Sequence, residues 1–112
     1  MTSPHRIRLR GPWRAVLEDG TEEAFSWPWR RTDVRGVARL QRGFQRPPNL
    51  QGCRVTLAID GPAPLSIRLN DTSLDAPVAA EITGLLQPRN QLVLEVRGAA
   101  PEEVRLEIWE DA

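Results

Sequence analysis

A chain of 112 residues has room for one domain and one core. Its formal net charge of zero removes the bulk electrostatic case for nucleic acid or an anionic membrane surface as partner. No stretch approaches the roughly 18 apolar residues of a membrane span, the only cysteine is Cys53, and the N-terminus lacks the apolar run of a signal peptide; a cytoplasmic location without disulfides is therefore expected.

The charge is unevenly laid out. Residues 1–56 hold eleven Arg against five acidic residues, and residues 57–112 hold four Arg against ten. Interleaved β-strands would neutralise the two halves against each other, whereas unpaired halves would make a polar molecule able to associate head to tail. All fifteen cations are Arg, a bias that a GC-rich genome produces without any functional cause.

In chain order, residues 1–5 read as a loose terminus. From Ile7 the apolar residues Ile7, Leu9, Trp13, Ala15 and Leu17 alternate with Arg6, Arg8, Arg10 and Arg14, the pattern of strand with one buried face. Gly11 and Pro12 interrupt it, which predicts two strand pieces with a bend or an edge strand. Trp13 shares the apolar parity and is assigned to the core. Asp19-Gly20 marks a turn, and residues 22–36 show no periodicity and read as a long loop carrying Trp27-Pro28-Trp29-Arg30-Arg31. Ala38, Leu40, Arg42 and Phe44 form the next alternating run, closed by Pro47-Pro48. Val55, Leu57 and Ile59 mark a strand, and so do Leu65, Ile67 and Leu69 before a tight turn at Asn70-Asp71. Residues 79–86 read as a strand end entering a single helical turn. Leu92, Leu94 and Val96, then Val104, Leu106 and Ile108, point inward from the last two strands. Seven or eight short antiparallel strands without a long helix predict an all-β sandwich.

Four local patterns, in this order and spacing, carry a family resemblance: Gly11-Pro12-Trp13, Leu40-Gln41-Arg42-Gly43-Phe44 followed by Pro47, Ile67-Arg68-Leu69-Asn70-Asp71, and Glu81-Ile82-Thr83 followed by Leu86, Asn90 and the strand to Val96. Together they resemble the galactose-binding-like jelly roll, specifically the non-catalytic sugar-binding domain of glycoside hydrolase family 2 enzymes. Leu40, Asp71 and Glu81 depart from that pattern, which prefers an aromatic, a glycine and an aspartate there. The resemblance implies a jelly-roll sandwich and a non-catalytic role, since no catalytic barrel fits in the chain.

The residues themselves point the same way. His5 is the only histidine and lies in the terminus expected to be loose, so Ser-His or Cys-His catalysis has no partner. Cys53 reads as a small, partly buried residue. No His/Cys cluster suggests a metal or other cofactor, and Asp60, Asp71 and Asp75 suit turns better than a calcium site. Two candidate surfaces remain. Trp27, Trp29, Arg30 and Arg31 offer flat apolar faces and fixed donors, the chemistry that a carbohydrate ligand needs; the alternative is that one or both indoles cap an open end of the sandwich. Trp109, Arg105, Arg8 and Arg10 lie on outward parities and suit a protein partner or weak homo-oligomer.

Overall fold

The structure, a computed structural model, describes residues 3–29, 36–74 and 79–110. Ten strands run through them: β1 (His5–Arg8), β2 (Trp13–Val16), β3 (Glu22–Phe25), β4 (Val37–Gln45), β5 (Cys53–Asp60), β6 (Ser66–Leu69), β7 (Thr72–Leu74), β8 (Ala79–Glu81), β9 (Arg89–Arg97) and β10 (Glu103–Glu110), with one 3-10 turn at Thr83–Leu85. All pairings are antiparallel. They form a four-stranded sheet in the order β1-β10-β5-β8 and a six-stranded sheet in the order β3-β2-β4-β9-β6-β7. The all-β sandwich read from alternation is the fold. It has more strands than the seven or eight expected, because β3 and β7 are too short to show a period, whereas the break at Gly11-Pro12 and the strand end at β8 were expected.

The inner faces are the alternating apolar positions. Leu40, Leu92, Leu94, Val96, Ile67 and Leu69 from the large sheet meet Val55, Leu57, Ile59, Val104 and Leu106 from the small one, each at most 2% exposed. Burying such side chains contributes on the order of 1.5–3 kcal/mol each. Trp13 sits among them at 1% exposure, as expected, and its Nε1 donates to the Leu9 carbonyl at 2.6 Å, so the buried indole keeps its hydrogen bond.

Three expectations need correction. His5 is not loose: it opens β1 and pairs with Ile108. Residues 22–25 are not loop but the edge strand β3, held to β2 in register Trp13↔Phe25 through Val16↔Glu22. Leu65 shares the parity of the core residues Ile67 and Leu69, yet it precedes β6, and its side chain is 58% exposed.

Candidate functional site

The aromatic candidates converge at one edge of the sandwich, where β3 leads into Ser26 and Trp27. The backbone N–H of Trp27 donates to the Arg10 carbonyl at 2.8 Å, which ties this segment to the link between β1 and β2. Trp27 is thereby drawn into the core. Only 9% of it is exposed, and its ring packs edge-on against Trp13 and Phe25, with both centroid distances 5.2 Å. Its Nε1 is buried without an acceptor among the described residues. At this exposure the indole offers little surface to a ligand.

Trp29 is placed differently. It is half-buried, its ring lies 5.4 Å from Phe25 at 32°, and its Nε1 donates to Glu23 Oε1 at 2.9 Å. An indole braced on one side by a ring and at its edge by a carboxylate has few orientations left to lose on binding. Trp27 and Trp29 are thus separated in role by the proline between them: one is core, the other is a fixed ring at the rim. Arg30 and Arg31 lie outside the described residues. Arg10 is exposed and joins Trp27, Pro28, Glu102 and Glu103 around a cavity of about 290 Å³ at this edge.

The second set of candidates lies on the outer face of the four-stranded sheet. Register places Arg6 opposite Glu107, Arg8 opposite Arg105, and Trp109 opposite Arg54. Arg105 is central. Its Nη1 lies 2.6 Å from Asp60 Oδ2 and 3.1 Å from Glu103 Oε2, and its Nε lies 3.0 Å from Glu107 Oε2. Desolvation works against its charge, but the hydrogen bonds and charges of Asp60 and Glu107 outweigh it and hold its pKa above the ordinary arginine value. Arg6 pairs with Glu107 at 3.4 Å and Arg8 with Glu103 at 2.9 Å. Arg8 and Arg105 are consequently engaged with neighbouring strands, while Trp109 stays half-buried at the far end of the row.

Two further features escaped the sequence reading. His5, Cys53 and Glu110 line one cavity of about 380 Å³ at an open end of the sandwich, together with Leu50 and Ile108. The signal was a register unknown beforehand, which sets Cys53 opposite Glu110 and His5 opposite Ile108. Among the described residues no group of three or more His, Cys, Asp or Glu is arranged to hold a metal ion. Asp60, considered for calcium, is bound to Arg105; Asp71 sits in a hairpin turn, and Asp75 lies outside the described residues. The other feature is the state of Arg42, whose place on the inward parity of Leu40 was legible in the alternating run but whose side-chain environment was not. Its Nε and Nη1 are out of solvent without an acceptor, and burial lowers its pKa from the ordinary arginine value.

The fold is shared with segments of glycoside hydrolases. Over 98% of this chain and 23% of theirs, it superposes on an FMN-binding β-glucuronidase from Faecalibacterium prausnitzii L2-6 with a TM-score of 0.74 at 19% identity. A β-glucuronidase from an uncultured Clostridium sp. gives 0.70 at 14% identity over 99% of this chain and 30% of that one. A glycosyl hydrolase family 2 member from Bacteroides cellulosilyticus gives 0.66 at 14% identity, over 94% and 21%. The chain thus spans less than a third of the length of these enzymes. The jelly roll implied by the sequence resemblance is the fold, and the part matched is a small fraction of each enzyme. No family model matches the sequence, and no curated protein matches it. Among the described residues, no helix is long and apolar enough to cross a membrane.

Proposed function

We propose that this chain is a non-catalytic binding module for carbohydrate, with the sugar seated against Trp29 at the β3 edge. The observation that supports this reading most directly is the state of Trp29: a half-exposed indole, braced by Phe25 and fixed by Glu23, is the kind of flat apolar surface on which the C–H face of a pyranose rests. The likeness of the whole chain to a minor segment of glycoside hydrolases supports an accessory role beside such chemistry. Arg30 and Arg31, next in the chain, would supply charged donors to the hydroxyls in this reading. Trp27 is assigned to packing.

A glycan array on the wild type, Trp29→Ala and Trp27→Ala tests it. Trp29→Ala is expected to lose the array signal with a melting temperature within a few degrees of wild type. Trp27→Ala removes a core ring and is expected to cost roughly 3–5 kcal/mol of stability. Retention of every glycan signal by Trp29→Ala would overturn the assignment.

A second reading, a protein-interaction or self-association surface around Trp109, is favoured by one observation: a half-buried Trp stands on a face whose charges pair among themselves, so docking there need not strip isolated charges of water. Sedimentation at high concentration and low salt, comparing wild type with Trp109→Ala, tests the self-association form of it.

A further inference from the structure

The strand order β2-β4-β9-β6 brings together side chains that are scattered along the sequence, and it does so on the outer face of the six-stranded sheet. Register lines up one row across all six strands: Ala24, Arg14, Gln41, Val93, Arg68 and Ser73. A neighbouring row pairs Gln91 with Gly43. Small residues therefore form a floor, Val93 and Gly43, between long polar walls, Gln41, Gln91, Arg68 and Arg39. Three adjoining depressions follow this floor, of about 390, 340 and 230 Å³; the first two share Gln41 and Gln91, and the first and third share Arg68, Gln91 and Val93. With strands about 4.8 Å apart, the four central strands alone give a trough roughly 14 Å wide.

Its charge is predominantly basic. Arg14, Arg39, Arg68, Arg89 and Arg97 share the outward parity of this sheet with Glu22 and Glu95, of which Glu95 lines the first depression, and Asp71 lines the third beside Arg68. Among the described residues the one ion pair of this face is Arg14 with Glu22, at 3.9 Å, and Glu95 accepts from the Ser66 hydroxyl at 2.9 Å. Arg68, in the middle of the trough, has no carboxylate partner among the described residues and is exposed. The outer face of the other sheet is neutral by the same reckoning, with Arg6, Arg8, Arg54 and Arg105 against Asp60, Glu81, Glu103 and Glu107.

We propose that this trough is a binding site for an acidic oligosaccharide, with Arg68 meeting a uronate carboxylate and Gln41 and Gln91 meeting the hydroxyls of the chain. Amide side chains both donate and accept, as a row of hydroxyls requires, and a guanidinium pairs two-pronged with a carboxylate. A single small apolar residue, Val93, suffices under a C–H face, whereas the large apolar side chains that line the depressions among the described residues, Trp13 and Ile67, are 1% and 2% exposed and so offer neither the anchors of a peptide groove nor the open rings on which single-stranded nucleic acid stacks. The proposal takes its ligand class from the carbohydrate reading above but uses none of the residues at the Trp29 edge.

Amide chemical-shift titration of the whole chain with a short oligogalacturonate tests it, with a cello-oligosaccharide of equal length and a single-stranded oligothymidylate as the other arms. Oligogalacturonate is expected to shift the amides of Gln41, Gly43, Arg68, Gln91 and Val93. Arg68→Ala should weaken it about tenfold, the loss of one charge-assisted contact. Gly43→Trp should block it with the melting temperature held, because a Cβ at Gly43 meets nothing nearer than 3.5 Å and an outward Trp suits a strand. Trough shifts that survive Trp29→Ala would uphold this site even if the Trp29 edge fails. Shifts confined to Phe25 and Trp29 would sink the trough and leave the edge standing. Tighter binding of oligothymidylate, equal binding of the neutral oligomer untouched by Arg68→Ala, or no shifts with any probe would each overturn it.

Discussion

Asn90 is 4% exposed, yet its amide is fully occupied. Its Oδ1 accepts from the Gln87 N–H and from Asn70 Nδ2, both at 2.8 Å, and its Nδ2 donates to the Gln87 carbonyl at 2.8 Å and the Phe44 carbonyl at 3.3 Å. Asn70 extends the network: its Nδ2 also reaches the Leu85 carbonyl at 3.2 Å, and its Oδ1 accepts from the Gln91 N–H at 2.8 Å. Two side chains thus bind the β6–β7 hairpin, the 3-10 turn and the starts of β9 and the β4 exit into one unit. Asn90→Ala strips partners from part-buried groups on three segments and is expected to cost about 2 kcal/mol in chemical denaturation, since a group left unpaired out of water costs on the order of 1–3 kcal/mol. A loss below about 1 kcal/mol would mean that water replaces the amide. Arg42 and Trp27 are the opposite case, with buried donors left unpaired, so this core satisfies its polar atoms selectively.

At the scale of the element, the turn between β6 and β7 carries a local misfit. Asn70 and Asp71 both adopt positive φ, 50° and 73°, the two-residue turn that matches the twist of a hairpin and that Asn-Gly fills best. Asp71 stands at the second of these positions, where an L side chain meets steric cost. Asp71→Gly is expected to raise stability by about 1 kcal/mol, read as a higher denaturation midpoint at unchanged slope; a lower midpoint would show that the Asp71 carboxylate holds the turn. This turn was legible in the sequence, as were β4, β5, β9 and β10, because each shows three or more alternating apolar residues. β3 was not. Glu22-Glu23-Ala24-Phe25 carries one large apolar side chain, and an edge strand is held by its backbone ladder to β2 rather than by a buried face. The burial of Trp27 was one of the two readings that the sequence left open for it, and it is decided by the contact of its backbone with Arg10, a residue in a different strand connection. The outer trough was out of reach for a further reason: its rows depend on a strand order that departs from chain order, and so on knowing which parities share a face.

For the whole molecule, the uneven charge of the chain resolves into two unlike outer faces. Basic strands from the first half interleave with acidic ones from the second on the four-stranded sheet, where Arg105 is the hub: its side chain is 15% exposed, among Asp60, Glu103 and Glu107. Removing the hub leaves Asp60 and Glu103, opposite each other on adjacent strands, without the guanidinium that bridges them, and like charges so placed repel, while Arg6 and Arg8 keep their pairs with Glu107 and Glu103. Arg105→Met keeps the aliphatic stem and deletes only the charge and the donors, so its cost isolates the electrostatic part. That cost is expected to be about 2–3 kcal/mol at low ionic strength and to shrink in about 1 M salt, which screens the repulsion. Parallel denaturation series at the two salt concentrations check this. A deficit that is the same at both would mean that the lost hydrogen bonds of Arg105 to Asp60, Glu103 and Glu107, and not repulsion among the carboxylates, make up the cost.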